Sequence, residues 1–420
     1  MSVDVAPAPL EQKVSPWQLT LLVVATFGVA MASLVPMSYS LAVRLEQIAP
    51  GRTDLLGLVL GIGAAATLVV APLTGQLSDH TRSRWGRRRP YTVIGAVVGI
   101  ATAPILIFAV NVPMLAVGWA LCTAAWNTVG SSLGNWQADR LPRSQRGKVS
   151  GITGLVMQAA PVAGILLVGI VPDSALLVFL IPSAAGLLLV LPFVILVGEP
   201  DSRATAPRGG LTLGRVIRSY GFRLRTFPNF TWNWAGRFVL FLGVMMTSSF
   251  SVLLFAQRLG LSVPEVAGIL AISSGFSVVT ASIGSLLGGW LSDRFRRQPI
   301  ALAGAIFFAA GSVVLALAAD VTILIAGSLF VSFGMALFSA PSQALVLDVL
   351  PNRDTEAGRY MAITAFSQKI PSAVAPLIAP VVLGIGTAGA ESNFTLLYAI
   401  SASCAVIGGL IICFAVKEDA

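Results

Sequence analysis

The sequence predicts an all-α membrane protein, with twelve transmembrane helices in two pseudo-symmetric six-helix bundles around a central cavity. Three observations carry that prediction. The 420 residues are 56% hydrophobic and only 11% charged, against roughly 25% charged in water-soluble chains. Apolar runs of about 20 residues, enough for a helix to cross a hydrocarbon core of about 30 Å, recur along the whole chain. Arginine and lysine crowd into alternate loops, and landmarks of the first half return in the second.

The first run, Trp17–Leu41, has no small-residue cleavage site behind it and is read as a retained helix. Leu55–Leu77 ends on a Gly-Gln-Leu-Ser-Asp turn, and Tyr91–Val110 follows an arginine-dense loop without a charge of its own. Met114–Trp136 carries Trp126 and Asn127, Val149–Ile170 carries Gln158, and the charge-free Ser174–Val197 closes the first half. The second half opens with Phe230–Ala256, which holds Arg237. Val266–Leu291, Ile300–Ala319 and Val321–Leu347 follow, then Tyr360–Ile385 with Lys369, and last Phe394–Val416.

The formal charge of +9 suggests nucleic acid only until the cations are placed. Loops holding Arg82 to Arg89, Arg140 to Lys148, Arg203 to Arg225, Arg294 to Arg297 and Arg353 to Arg359 alternate with loops whose only cations are Arg44, Arg52 and Arg258. That is the positive-inside pattern, so both termini are expected in the cytoplasm of a multi-pass inner-membrane protein, with the bilayer and not nucleic acid as partner. Cys122, Cys404 and Cys413 fall inside helices without ligand spacing, and the only histidine, His80, lies in a loop. No metal site, cofactor or catalytic dyad is expected, and with no acid, base or nucleophile set within the bilayer the chain is not read as an enzyme.

The halves repeat. Gly75-Gln-Leu-Ser-Asp79 returns as Gly289-Trp-Leu-Ser-Asp293, and Asp139-Arg-Leu-Pro142 returns as Asp348-Val-Leu-Pro351. Gly147-Lys148 with Ile152-Thr153 returns as Gly358-Arg359 with Ile363-Thr364. A six-plus-six duplication follows: residues 1–197, a linker over 198–227 and residues 228–420. Leu211 to Arg225 of the linker is expected to form a short amphipathic helix on the inner membrane surface.

Gly75 and Asp79 share a helix face, where the glycine admits a close neighbour and the carboxylate can meet the cations downstream. Gly75-x-x-x-Asp79 followed by Gly86-Arg87-Arg88, with a shortened copy at Gly289 to Arg297, resembles the loop motif of the major facilitator superfamily. The longer stretch from Ser78 to Pro90 resembles that of the glycoside-pentoside-hexuronide cation symporters and sucrose carriers. The resemblance implies alternating access and a cavity lined by helices one, four, seven and ten, with three, six, nine and twelve facing lipid. Gly75, Asp79, Arg87, Arg88, Asp139, Gly289, Asp293 and Asp348 are the expected gating residues, the arginines pairing with Asp139 or linker acids when the inner gate closes.

Lys369 should stand near mid-bilayer, where a charge costs roughly 2.5–3.5 kcal/mol and must find a cavity or a partner. Gln158 holds the repeat-equivalent position on the fifth helix. Trp126 beside Asn127 offers an indole face and an amide, the groups that bind sugar rings and their hydroxyls. Arg237, Gln368 and Tyr39 complete the substrate-binding set. Every Asp and Glu lies in a loop or near a helix end, so the family's cation site does not carry over and coupling to H+ or Na+ stays open, with Asp139 the nearest acid. The expected substrate is a small polar molecule, a sugar or glycoside, moved by a monomer. The alternatives are an organic-anion exchanger using Lys369 and Arg237, or a drug or metabolite exporter, for which Ala160-Pro-Val-Ala-Gly164 loosely resembles the fifth-helix antiporter motif.

Overall fold

The computed structural model describes residues 13–52, 54–169, 174–203, 226–351, 353–386 and 392–416. The helix expected over Leu211 to Arg225 lies outside them. Eleven spans are single helices or nearly so: α1 (Pro16–Ile48), α2 (Asp54–His80), α3 (Arg89–Ile107), α4 (Val112–Arg140), α5 (Arg143–Val168) and α6 (Ala175–Leu196) in the first half. The second half holds α8 (Ala267–Arg294), α9 (Arg297–Ala316), α10 (Val321–Asp348), α11 (Arg353–Leu383) and α12 (Phe394–Ala415). The twelfth, α7, is Pro228–Ser248 followed by Ser251–Leu259, bent by 45° at the break. α1 has its own irregularity, a π turn over Pro36–Ser40.

Helix starts follow capping chemistry. Asn111 Oδ1 accepts from Met114 N–H at the head of α4, and Asp320 Oδ1 accepts from Ile323 N–H at the head of α10, both at 2.9 Å. Proline stands at the first turn of α1 and α7, where the missing N–H leaves nothing unpaired.

Packing repeats with the sequence. α1 lies against α4, α5 and α6, α2 against α4, and α3 against α4 and α6. α7 lies likewise against α10, α11 and α12, α8 against α10, and α9 against α10 and α12. Between the halves α2 rests on α11 and α5 on α8, and the π turn of α1 touches the second piece of α7. Within the second half glycines bring backbones together. Any side chain at Gly304 would strike the backbone of α10 at Phe338 and Gly334, and one at Gly334 would strike α9.

Arg44 and Arg258, two of the three exceptions to the charge pattern, are repeat partners: each lies 214 positions from the other, as do Gly75 and Gly289. Arg44 donates from Nη2 to the carbonyls of Ile107 and Ala109, both at 2.9 Å, past the end of α3. Arg258 donates from Nη2 to Ala316 O at 2.6 Å, at the end of α9. A guanidinium thus satisfies orphan carbonyls at a helix C-terminus in both halves, a structural reason for cations on the sparsely charged side.

The halves meet on one side of the bilayer and part on the other. Gly57 and Gly61 of α2 seat against Ala373, Pro376, Leu377 and Pro380 of α11, and Gly169 lies against Ala267 at the head of α8. These contacts are on the side away from the termini. Toward the terminal side, which also carries the basic loops, a side chain added at Gly75, Gly134, Gly151, Gly154 or Gly289 would meet none of the described residues within 4 Å. The space between the bundles opens toward the termini.

Candidate functional site

That space is a cavity of about 690 Å³. Its walls come from α1, α2, α4 and α5 of the first half and from α7 and α11 of the second. Of the lining helices expected from the family resemblance, α1, α4 and α7 contribute, and α10 contributes no lining residue among those described.

Glycines set the site by making room for indoles. Trp119 of α4 fits the space left at Gly63 of α2, and Trp126 fits between Gly99 of α3 and Gly186 of α6. Both tryptophans border the cavity from inside the wall with their rings buried, so neither offers a stacking face in this conformation. The Trp126 indole N–H has no acceptor among the described residues. Asn127 lines the cavity beside it, its Oδ1 3.5 Å from Ser131 Oγ.

The lining is rich in hydroxyls, most of them committed to their own helices. Thr26, Ser33, Thr67, Thr123, Thr153 and Ser372 each donate to a backbone carbonyl three or four residues back, at 2.7–3.1 Å. Their oxygens therefore face the cavity as acceptors. Gln137 Nε2 donates to Ser150 Oγ at 3.1 Å and closes the terminal-side edge of the wall. Lys369 is the only ionisable group among the described lining residues; it is half-buried and has no ion-pair partner among them. The site is an acceptor-rich, partly aromatic pocket with one ammonium and no carboxylate.

The remaining expected residues are placed elsewhere. Gln158 is exposed on α5 and outside the lining, because α5 turns Ser150, Thr153, Gly154 and Met157 inward and one residue more rotates the side chain by about 100°. Gln368 is exposed beside Lys369 for the same reason. Tyr39 is fully buried in the π turn of α1. Arg237 is buried between α7, α10 and α11: its Nη1 donates to Ser342 Oγ, its Nε reaches Ser367 Oγ at 3.4 Å, and its guanidinium sits 5.5 Å over the Phe241 ring. Gly164 of the antiporter-like stretch packs on Val35 beside the π turn.

Among the described residues, the charged groups expected at the gate form two networks. Arg88 Nη2 meets Asp79 at 2.6 Å, its Nε meets Asp139 at 3.1 Å, and its Nη1 donates to Ser78 Oγ at 2.9 Å. Arg87 meets the same Asp139 oxygen at 2.9 Å. The linker acid Glu199 accepts from Arg88 N–H at 2.9 Å, under a left-handed Gly86 whose missing side chain leaves it room. In the second half Arg297 pairs with Asp348; Arg88 and Asp139 each lie 209 positions before these two residues. The ion pairs each stay within one half, with the linker acid Glu199 joining the first network, and are made while the cavity is open to that side, whereas the sequence reading tied them to a closed gate. The Asp293 side chain lies outside the described residues.

Sequence reasoning passed over Thr123, Gly130, Gly134 and Gln137, which continue the Trp119–Trp126–Asn127 face of α4 at helical spacing. That periodic run of small and polar residues in an apolar span was the available signal.

Two like bundles around a cavity raise the question of kinship, and the family model described as Major Facilitator Superfamily matches residues 19–283 and 234–420. The chain belongs to the major facilitator superfamily. Local likenesses are shorter: 39% identity over 74 residues to human solute carrier family 45 member 3, and 32% over 77 residues to inositol transporter 4 of Arabidopsis thaliana. Each covers 18% of this chain and 13% of the relative. Among solved structures, the nucleoside transporter NupG superposes with a TM-score of 0.72 at 12% identity, covering 94% of this chain and 98% of that one. The D-xylose-proton symporter gives 0.71 at 19% identity, covering 96% and 99%. At those identities the likeness is one of fold. The chain is a transporter of this superfamily, multi-pass in the membrane.

Proposed function

We propose that this transporter moves a small polyhydroxylated solute, a sugar or glycoside, across the inner membrane by alternating access. The observation that carries the reading is the cavity wall. Hydroxyl groups whose protons are already bonded offer acceptor oxygens, so they select a ligand rich in donors, and sugar hydroxyls are such donors. Lys369 on α11 and the Asn127 amide on α4 supply the complementary donors. The local likeness to an inositol transporter points the same way.

With the basic loops in the cytoplasm, the conformation is inward-open and both termini are cytoplasmic. The units are residues 1–197 and 228–420, rocking about the α2–α11 and α5–α8 contacts. Arg87, Arg88, Asp79 and Asp139 keep the first half rigid in that motion, and Arg297 with Asp348 does so in the second.

Purified protein in proteoliposomes, challenged with labelled mono- and disaccharides, tests the reading. Saturable uptake lost in Lys369→Gln is expected, and folded protein indifferent to every sugar refutes it. Uptake independent of pH and sodium selects facilitated diffusion or exchange over H+ or Na+ symport.

Lys369, without an ion-pair partner among the described residues, favours a second reading, exchange of hydroxylated organic anions. Under it glucuronate and gluconate drive counterflow, the neutral sugars do not, and Lys369→Gln loses the anions first.

A further inference from the structure

The helices around the cavity can be set level with one another from their contacts. Trp119 and Thr123 of α4 lie against Gly63 of α2, and Thr123 Oγ1 donates to Gly63 O at 3.1 Å. Gly61 of α2 faces Ala373 and Leu377 of α11. Gly186 of α6 seats both Ala32 of α1 and Trp126 of α4, and Gly130 of α4 faces Val29 of α1. Counting along each helix from these points, at about 1.5 Å per residue, brings Ser33, Thr67, Thr123, Asn127 and Lys369 to within about one turn of a common depth. All five line the cavity and are half-buried, so they form a polar belt around it.

Deeper, toward the closed side, the wall changes character. The Phe250 ring of α7 lies against Gly57 of α2, which sets Met245 about one turn below the belt, at the level of Met37. These two methionines line the cavity and are half-buried, with surface still free. Leu60, Pro376 and Trp119, all buried, complete the floor. Ser372 and Ser249 are the hydroxyls among the described lining residues at this depth, and Ser372 Oγ already donates to Lys369 O at 2.7 Å. A sugar hydroxyl placed on the thioethers would give up its bonds to water and gain none, whereas an apolar group is favoured there. Methionine is also pliant, so such a floor accepts apolar groups of more than one shape. The cavity volume of about 690 Å³ falls in the range of drug-sized ligands and leaves room beyond a single sugar ring.

We propose, resting on the sugar-carrier reading, that the solute is an amphipathic glycoside. Its glycone takes the polar belt and its apolar aglycone points into the floor, where Met37 and Met245 decide which aglycones fit. Free sugars fill the belt alone and bind more weakly.

The test uses the purified full-length protein, with thermal stability as the readout. Glucose, galactose and xylose, their methyl and phenyl β-glycosides, and phenol alone are titrated separately. For whichever glycone binds, the phenyl glycoside is expected to half-saturate at about tenfold lower concentration than the methyl glycoside, the gain from burying one ring. Met37→Ser and Met245→Ser should each cut that ratio about threefold, while Met245→Leu, apolar and of like volume, keeps it. Gln158→Ala, on the exposed face of α5 outside the lining, keeps it too. If both serine variants fail to fold, the series on the unaltered protein still decides. Phenyl and methyl glycosides of equal strength, or a ratio untouched by both folded serine variants, overturn the proposal and leave the sugar-carrier reading standing. Phenol as effective as its glycosides reduces the effect to unspecific binding and also overturns it. Indifference to every sugar and every glycoside removes the sugar-carrier reading itself, and this proposal with it.

Discussion

The two repeat-related ion pairs occupy the same place in each bundle, yet the structure assigns them different worth. Arg88 is 8% exposed and makes three bonds, to Asp79, Asp139 and Ser78. In Arg88→Gln, Asp139 keeps Arg87 and Asp79, 48% exposed, regains water. The loss is thus three charge-assisted bonds, one of them offset by the Arg87 contact Asp139 keeps, less that rehydration, about 2 kcal/mol. Arg297 and Asp348 are 32% and 46% exposed and share one contact. Solvent screens such a pair, and Arg297→Gln should cost about 0.5 kcal/mol. Equilibrium unfolding in mixed micelles, followed by circular dichroism, measures both. Equal losses, or a larger one in the second half, would show that burial does not set the strength of these pairs and would refute the reasoning.

Three further outcomes follow from the packing. Gly57→Val places a side chain against the Pro376 carbonyl of α11, so it should force the closed side apart and shift the population toward the opposite opening; a cysteine substituted at Ser249 should then label from the side away from the termini, and unchanged labelling counts against the closure described. Arg44→Gln and Arg258→Gln remove equivalent carbonyl clamps and should each cost about 1–2 kcal/mol, similar to one another, in the same unfolding assay. Glu265 Oε2 accepts from Ser262 N–H and Oγ, both at 2.7 Å, and the hydroxyl bond in particular holds its carboxyl below the ordinary value of 4.5. The stability it gives is present above 4.5 and lost as pH falls through the lower folded value, so acid melting curves of Glu265→Gln should lack that component.

The membrane spans were legible because a hydrocarbon core imposes one demand, about 20 apolar residues in a row, on every helix that crosses it. The site was legible only in part. Lys369 could be found because a charge deep in a span has few places to go. Gln158 was chosen as its partner by counting along the repeat, but counting does not give rotation, and one residue is the difference between Met157 in the cavity and Gln158 outside it. Arg237 illustrates another limit: polar residues in a span signal a need for partners, but not which ones, and in the structure it reaches Ser342 and Ser367. Arg44 and Arg258 were readable as a repeat pair from their spacing, but their targets are backbone carbonyls that leave no mark in the sequence.

The committed hydroxyls of the cavity bear on the empty carrier as well as the loaded one. A wall whose hydroxyl protons are mostly bonded already strands few donors when it closes with nothing inside, so the cost of dehydrating it falls chiefly on its acceptor oxygens and the Asn127 amide. Lys369 is the exception, since an ammonium enclosed without water or ligand must give up its hydration. Under the proposed cycle the return of the unloaded form is therefore the slow step, and tracer exchange should outrun net efflux. In Lys369→Met the return barrier drops, and the two rates, measured in the same vesicles with any solute the variant still carries, should converge.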